Sequence, residues 1–311
     1  MAKANQNDPE AQYAVANAYL EGKIIEKNIQ LGMEWDEKAA QNGHAIAQFQ
    51  LGHMKAREAT LVFSDLIPPY ANCFGVDMNT IGHAPVFIPL QNNVIEFKKA
   101  EDLIKIVEAY EKARVKPAYQ DARNQLMVGI DWLENAAAQG LTEAQYELAE
   151  IYKIGGPFPY DVKRSVLFME MASDKGHRVA TVTLSEMCGR GIKGVLEVDK
   201  AKSLKLLKKA SRLGELSAQN LLAIKLIRGE DVEYKDPEGA VQLLEKAAAA
   251  GFIKAIHNLA ICLYIGEGVE QDQERAITLL QANDERDELV AKTLNQMLSG
   301  TEEISIKDLS K

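Results

Sequence analysis

Cysteine is scarce in this chain, which carries only Cys73, Cys188 and Cys262 among its 311 residues. An odd number of widely separated cysteines is not the pattern of a disulfide framework or of a zinc motif. Cys73, Asp77 and His83 share one segment but lack the regular spacing of metal ligands. We therefore expect no metal and no other cofactor.

Long apolar runs are also missing. No stretch of 18 apolar residues is present, so we expect no membrane span. The N-terminal sequence MAKANQNDPE lacks the apolar core of a signal peptide. The sequence as it stands favours the cytoplasm, whereas a leader removed ahead of it would place the protein in the periplasm.

Positive charge is low, with a net charge of −9 and a sequence pI near 5.3. The densest basic segment, residues 202–209, is interleaved with leucines, as on the solvated face of an amphipathic helix. No basic run follows a phosphate backbone, so we expect no nucleic-acid binding. An acidic surface is compatible with a basic protein partner.

Catalytic motifs are absent as well. The sequence contains no G-x-S-x-G, H-E-x-x-H, P-loop or G-x-G-x-x-G pattern. Four of the five histidines fall at positions of a repeat described below, and only His83 lies outside it. We expect a protein without enzymatic activity and without catalytic or cofactor-binding residues.

What the chain does have is an internal repeat of about 36 residues. It begins with Ala-Gln-aromatic at Ala11, Ala47 and Ala144, and weaker copies begin at Ala180, Ala218, Ala255 and Ala291. One interval, from Ala47 to Ala144, is 97 residues, which is one repeat plus about 61 extra residues. A fixed period of this size indicates a solenoid or array of supersecondary units.

Each copy carries the start and stop signals of two helices. A small residue lies five positions after the first Ala and is expected to let a second helix approach closely. A glycine then ends the first helix, and an N-cap residue begins the second at Asn28, Asp161, Asp199, Asp236 or Asp272. The second helix carries large-x-x-x-Ala-x-x-x-Gly, with Trp35 and Trp132 at the large position, which we interpret as core. Cys188 also falls on a helix position typical of the core.

These motifs resemble the Sel1-like repeat, a relative of the tetratricopeptide repeat. The resemblance is closest over residues 8–44, DPEAQYAVANAYLEGKIIEKNIQLGMEWDEKAAQNGH, and covers about 240 residues. It implies an all-α, right-handed superhelix of stacked helical pairs, a role as a protein–protein adaptor, and a concave face lined by first helices. It implies no catalytic residues.

We therefore predict an α-solenoid of about six helix pairs plus a seventh first helix. Residues 1–57 hold repeat 1 and the start of repeat 2, and residues 58–122 are an insertion within repeat 2. Residues 123–299 complete repeats 2–7, and residues 300–311 form a tail. The insertion combines an irregular, aromatic-rich half with an amphipathic helix that we expect to end at Pro117. We expect a monomer.

Two interpretations of the insertion stay open. Its apolar residues either pack against its own solenoid or contact a partner, and long loops within compact units are often functional. The partner-binding candidates are Phe63, Tyr70, Phe74 and Phe87 in the insertion and Glu143, Glu147 and Glu150 on a first helix.

The function predicted on this basis is a non-enzymatic scaffold that binds a protein through the concave face, the insertion or both. The alternative is a bacterial immunity protein that occludes a secreted toxin, such as a lipase-type effector. That alternative rests on analogy with Sel1-like proteins in such settings.

Overall fold

The computed structural model describes residues 3–66, 108, 110–154, 158–232, 234–300 and 304–309. The chain divides into two compact units, unit 1 (Met1–Lys175) and unit 2 (Gly176–Lys311). Each is a stack of antiparallel helix pairs, and in each pair we call the earlier member the first helix. The described residues contain no β-strand, and the all-α class predicted from the repeat is confirmed.

Unit 1 contains three helix pairs. Their bounds are α1 Pro9–Glu21 with α2 Ile29–Gln41, α3 Ala45–Leu66 with α4 Pro117–Ala138, and α5 Thr142–Ile154 with α6 Val162–Asp174.

Unit 2 contains three further pairs and a seventh first helix, as predicted. Their bounds are α7 Arg178–Arg190 with α8 Lys200–Arg212, α9 Leu216–Arg228 with α10 Pro237–Ala249, α11 Ile253–Ile265 with α12 Gln273–Gln281, and then α13 Glu288–Ser299. A short 3-10 helix, Ile306–Asp308, follows α13.

The predicted N-caps of the second helices are confirmed. Each predicted side chain accepts a hydrogen bond from the backbone N–H three residues later and so satisfies a donor that the helix itself leaves free. The residues are Asn28, Asp161, Asp199, Asp236 and Asp272. Gly22 ends α1 with φ 70°, where a Cβ atom would lie 2.7 Å from Cβ of Lys27, so glycine is required there.

The glutamine of the Ala-Gln motif has a structural role. In four copies its side-chain amide donates to the backbone carbonyl eight residues earlier. That carbonyl lies at the end of the preceding helix in the three later copies and in the N-terminal 3-10 helix Ala4–Gln6 in the first. These pairs are Gln12 to Ala4, Gln48 to Ala40, Gln145 to Ala137 and Gln219 to Ser211. The motif is therefore explained by backbone satisfaction at the turn between repeats.

The core runs along one stripe of each second helix, and this corrects the prediction for the large position. That position is only half-buried in every predicted copy: Trp35, Trp132, Phe168, Leu206 and Leu243. The next residue is the buried one: Asp36, Leu133, Met169, Leu207 and Leu244. Residues three or four positions apart lie on the same face of a helix. The buried residue lies three positions before the alanine of the repeat, so these two share the face that packs into the core. The prediction was one residue early.

The small residues of the first helices allow close helix approach, as predicted. A Cβ atom on Gly52 of α3 would lie 2.8 Å from the backbone oxygen of Gly129 in α4, and one on Gly129 would lie 2.9 Å from that of Gly52. In the next pair Ser165 Oγ donates to the carbonyl of Ala149 at 2.7 Å. The backbones of α3 and α4 therefore come close at Gly52 and Gly129, and in the next pair a serine side chain bonds directly to the facing carbonyl.

The pair α3–α4 is longer than the others. Both helices have 22 residues, whereas α1 and α2 have 13 each. We call the extra residues, 58–66 and 117–125, the stalk; they add about 13 Å of paired helix. The predicted boundaries of the insertion, 58 and 122, fall inside these helices. Pro117 follows a helical segment, residues 110–114, and is itself the first residue of α4.

Candidate protein-binding surfaces

The insertion residues predicted to contact a partner divide into two groups. Phe63 is fully buried in the stalk, with its ring centroid 5.1 Å from that of Tyr119 and 5.9 Å from that of Phe158. Its candidacy as a partner contact is therefore wrong, because α3 continues past Glu58 and turns Phe63 into the core. Tyr70, Phe74 and Phe87 lie outside the described residues, and so do Cys73, Asp77 and His83.

The three acidic candidates lie on α5, and two of them already have a side-chain partner within the chain. Glu143 is exposed in the first turn. The Glu147 carboxylate lies 2.9 Å from Nδ1 of His53 on α3, and burial raises its pKa while His53 lowers it. The Glu150 carboxylate accepts from Nζ of Lys153 at 2.7 Å. A basic partner would meet Glu143 directly and would compete for the other two.

Beside these carboxylates runs a row of half-buried aromatic rings, which we call the aromatic strip: Tyr13, Phe49 and Tyr146. They occupy the same repeat position on α1, α3 and α5, one ring in each helix pair. Burial and the nearby Glu150 raise the pKa of Tyr146 to about 12, so its hydroxyl is a neutral donor at ordinary pH. Half-buried tyrosines combine apolar area with a polar end, which is the character of residues in protein interfaces.

Contacts between neighbouring first helices hold the strip in register. Gln50 Nε2 of α3 lies 3.4 Å from the Tyr13 hydroxyl of α1, and His53 of α3 reaches Glu147 of α5. The Phe49 ring stacks on that of His53 with centroids 5.9 Å apart. The strip and its polar border are therefore a continuous surface across three first helices of unit 1.

Sequence reasoning placed His44 and His177 in the repeat without finding their role. In both, Nδ1 accepts the backbone N–H of the residue three positions later, Ala47 or Ala180. Each histidine is thus the N-cap of a first helix, a position usually filled by Ser, Thr, Asp or Asn. His44 also stacks on Tyr13 with ring centroids 4.1 Å apart. The position directly ahead of a first helix was the available clue.

Unit 2 fills the aromatic position differently. Asn220, His257 and Thr293 stand there on α9, α11 and α13, and all three are buried. His257 Nε2 lies 2.9 Å from the Thr293 hydroxyl, and Asn258 donates to Asn220 at 2.7 Å. Burial lowers the pKa of His257. A satisfied internal network replaces the aromatic strip here, so the candidate surface in unit 1 has no aromatic counterpart at this position of unit 2.

Other kinds of site find no support in the part of the chain that the structure describes. There, His, Cys, Asp and Glu side chains form no group of three suited to a metal ion. Cys188 and Cys262 are both buried, and burial raises the pKa of the Cys262 thiol to about 12, which keeps it protonated. Within the same residues, every helix is too short or too polar to cross a bilayer.

The solved structures to which the chain is similar include two Sel1-type proteins. One is a Sel1 repeat protein from Oxalobacter formigenes, with 18% identity and a TM-score of 0.56, covering 89% of this chain and 85% of that one. The other is c5321, described as a protective antigen present in uropathogenic Escherichia coli strains displaying an SLR fold. It has 20% identity and a TM-score of 0.52, covering 98% of this chain and 68% of that one. At these identities the likeness concerns the fold.

Sequence comparison identifies the repeat directly. The Sel1 repeat model matches residues 9–44, 123–141, 142–177, 180–215, 216–252 and 253–282, which is more than half of the chain. No curated protein matches the sequence. The unmatched gap between residues 44 and 123 contains α3 and the insertion, whose helix pair departs from the repeat length. The chain belongs to the Sel1 repeat family.

Proposed function

We propose that this protein is a non-enzymatic scaffold that binds a protein partner through the aromatic strip of unit 1 and its acidic border. Sel1 repeats generally mediate protein–protein interactions, and the family is typically non-catalytic. What supports the choice of surface is the placement of Tyr13, Phe49 and Tyr146 at one repeat position on three neighbouring first helices. The partner that fits has exposed basic side chains around an apolar centre.

The physical argument is one of preorganisation. The strip lies on helices that are already joined by the Gln50–Tyr13 and His53–Glu147 contacts, so binding orders few additional side chains. Aromatic side chains bury large areas and are enriched where binding energy concentrates. Glu143 would meet a basic partner directly. Charge of this sign at the border accelerates association more than it strengthens the final complex.

The insertion is the second part of the proposed surface. Leu61 in the stalk and Val115 beside it expose 60% and 75% of their area, which is unusual for aliphatic side chains. Apolar exposure beside an inserted segment favours a contact site. Tyr70, Phe74 and Phe87 stay candidates for that contact.

The test compares binding of a purified partner, once captured, to matched variants. Glu143→Lys should lower the association rate about tenfold at low salt, whereas Glu37→Lys, also exposed but on the second helix α2, should not. Tyr146→Ala should raise the dissociation rate. Equal binding by wild type, Glu143→Lys and Tyr146→Ala would refute the strip as the binding surface.

A deletion tests the insertion separately. Removing residues 67–107 and joining the ends with a short glycine–serine linker keeps the stalk and the buried Phe63. This variant should keep its helical circular dichroism and bind the partner more weakly. Unchanged affinity would assign binding to the strip alone.

A further inference from the structure

The C-terminal segment, Ile304–Leu309, lies against first helices of unit 2. Leu309 is buried, Ile304 and Ile306 are half-buried, and all three pack against the main core of that unit. Lys307 and Asp308 between them are exposed. The segment thus presents aliphatic side chains at its first, third and sixth positions to the helices and its charged side chains to solvent.

One arginine fixes the backbone of this segment. The guanidinium of Arg228, at the end of α9, donates to three carbonyls: Ile306 at 3.4 Å, Lys307 at 3.3 Å and Leu309 at 3.1 Å. The Arg228 side chain is only 17% exposed. These bonds recognise main-chain oxygens, which every peptide has, so they select a backbone shape and leave the side chains to the apolar contacts.

The segment also holds its own turn. Ser305 accepts from the Lys307 amide through its hydroxyl, and the Ser305 amide donates to the Asp308 carboxylate at 2.8 Å. The turn contacts α11. Hydrogen bonds within the segment therefore fix its turn, and the folded turn packs on α9 and α11.

We propose that this surface of unit 2 is an exchangeable peptide-binding site, and that the chain's own residues 304–309 are its resident occupant. The ligand is a protein segment of the same chemistry: aliphatic, any residue, aliphatic, two polar residues in a turn, aliphatic. The tether to α13 is short, since α13 ends at Ser299. A short tether gives the resident segment an effective concentration of about a millimolar, which a partner segment has to overcome.

This site is independent of the aromatic strip in unit 1. The chain would regulate this surface itself, because a partner segment can bind only when residues 304–309 have dissociated. The resident segment also indicates what to use as a probe: the chain's own sequence supplied in trans.

The experiment uses a fluorescein-labelled peptide, TEEISIKDLSK, with the sequence of residues 301–311. Its anisotropy is followed with the full chain and with a chain ending at Gly300. The shortened chain should bind saturably and at least tenfold more tightly than the full chain. Adding Arg228→Ala to the shortened chain should weaken binding tenfold or more, whereas Arg212→Ala, at an exposed position in the same unit, should leave it unchanged. A folded shortened chain that does not bind the probe would overturn the proposal.

Two further measurements cover the other outcomes. If the shortened chain loses its helical circular dichroism, hydrogen exchange on the full chain decides. Amides of residues 304–309 should exchange at least a hundredfold faster than those of α11, and equal protection would make the segment a permanent part of the core. Light scattering decides the occupant: a full-length dimer that becomes monomeric on shortening would point to tails exchanged between two copies, against a partner segment.

Discussion

Asp36 of α2 occupies the repeat position that Leu133 fills in α4. Both side chains are buried, but Asp36 keeps one carboxylate oxygen without a hydrogen-bond partner among the described residues. Burial raises the pKa of Asp36 to about 6, and nearby His44 lowers it. The first repeat thus carries an acid where the five other second helices carry leucine or methionine in the core.

Replacing that acid should stabilise unit 1. At pH 7 the carboxylate of Asp36 is ionised in an apolar position, so Asp36→Leu should raise the free energy of unfolding by about 1–2 kcal/mol. Chemical denaturation read by tryptophan fluorescence measures it, because both tryptophans lie in unit 1. A lower midpoint for Asp36→Leu would show that the position cannot accommodate leucine.

The same residue predicts a pH dependence. Its folded pKa lies above the usual 3.8, so the folded state binds the proton more tightly than the unfolded state. The contribution of Asp36 to the free energy of unfolding therefore increases as pH falls through about 6 and becomes constant below about 4. Between pH 7 and 5 wild type should gain about 1 kcal/mol relative to Asp36→Asn, which cannot titrate. Parallel pH profiles for the two proteins would contradict this.

The Gly52–Gly129 contact predicts a steric effect. Gly129→Ala should destabilise unit 1 by about 1–3 kcal/mol, because the new methyl group meets the backbone of α3. Asn135→Ala on the exposed side of the same helix should stay within about 0.5 kcal/mol. Melting temperatures of the two variants make the comparison, and equal values would mean that α3 and α4 can separate without cost.

The half-burial of the tryptophans gives a paired prediction. Leu133→Ala should cost about 2–5 kcal/mol, since Leu133 is fully buried. Trp132→Ala removes a half-buried ring that packs on the Ala39–Ala47 cluster and should cost less than Leu133→Ala despite the larger side chain. Denaturant midpoints followed by circular dichroism rank the two variants. A larger loss of stability for Trp132→Ala than for Leu133→Ala would show that Trp132 is the main core residue of the two.

An unpaired oxygen predicts a stabilising substitution in unit 2. Gln219 Oε1 is buried without a partner, whereas the equivalent Gln12 and Gln48 accept from Asn42 and Gln139. Ala250 occupies the position of those donors. Ala250→Asn should supply the missing bond and add about 1 kcal/mol. Ala250→Leu, of similar size but without a donor, is the control; an equal gain would attribute the effect to burial.

Local features of the fold could be predicted because each depends on residues close in sequence. The caps at Asn28 and Asp161 follow from residue type and position, and the pairing of helices follows from the period. The core stripe was misplaced by one residue, because a step of four fits the spacing of Trp132 and Ala136 as well as a step of three fits Leu133 and Ala136. Burial distinguishes the two rows, and spacing alone does not.

The candidate sites depended on contacts that span the chain. In the sequence, Glu58 stands where other first helices end in glycine, so the pattern places Phe63 in the insertion and makes it a candidate partner contact. The absence of Gly and Pro from residue 53 to 67 was the readable clue that α3 continues. The bond from Arg228 to Leu309 joins residues 81 positions apart, and no repeat pattern links them.

The stalk has a consequence for how this chain can change. The inserted segment leaves the stalk at the end of α3 and re-enters it at the start of α4. The rings of Phe63, Tyr119 and Phe158 pack together in the core of this part of the unit. The segment between Leu66 and Pro117 can therefore change in length and composition without changing how the repeats pack on one another. Evolution, or a protein engineer, can exchange that segment as a cassette while the scaffold that presents it stays the same.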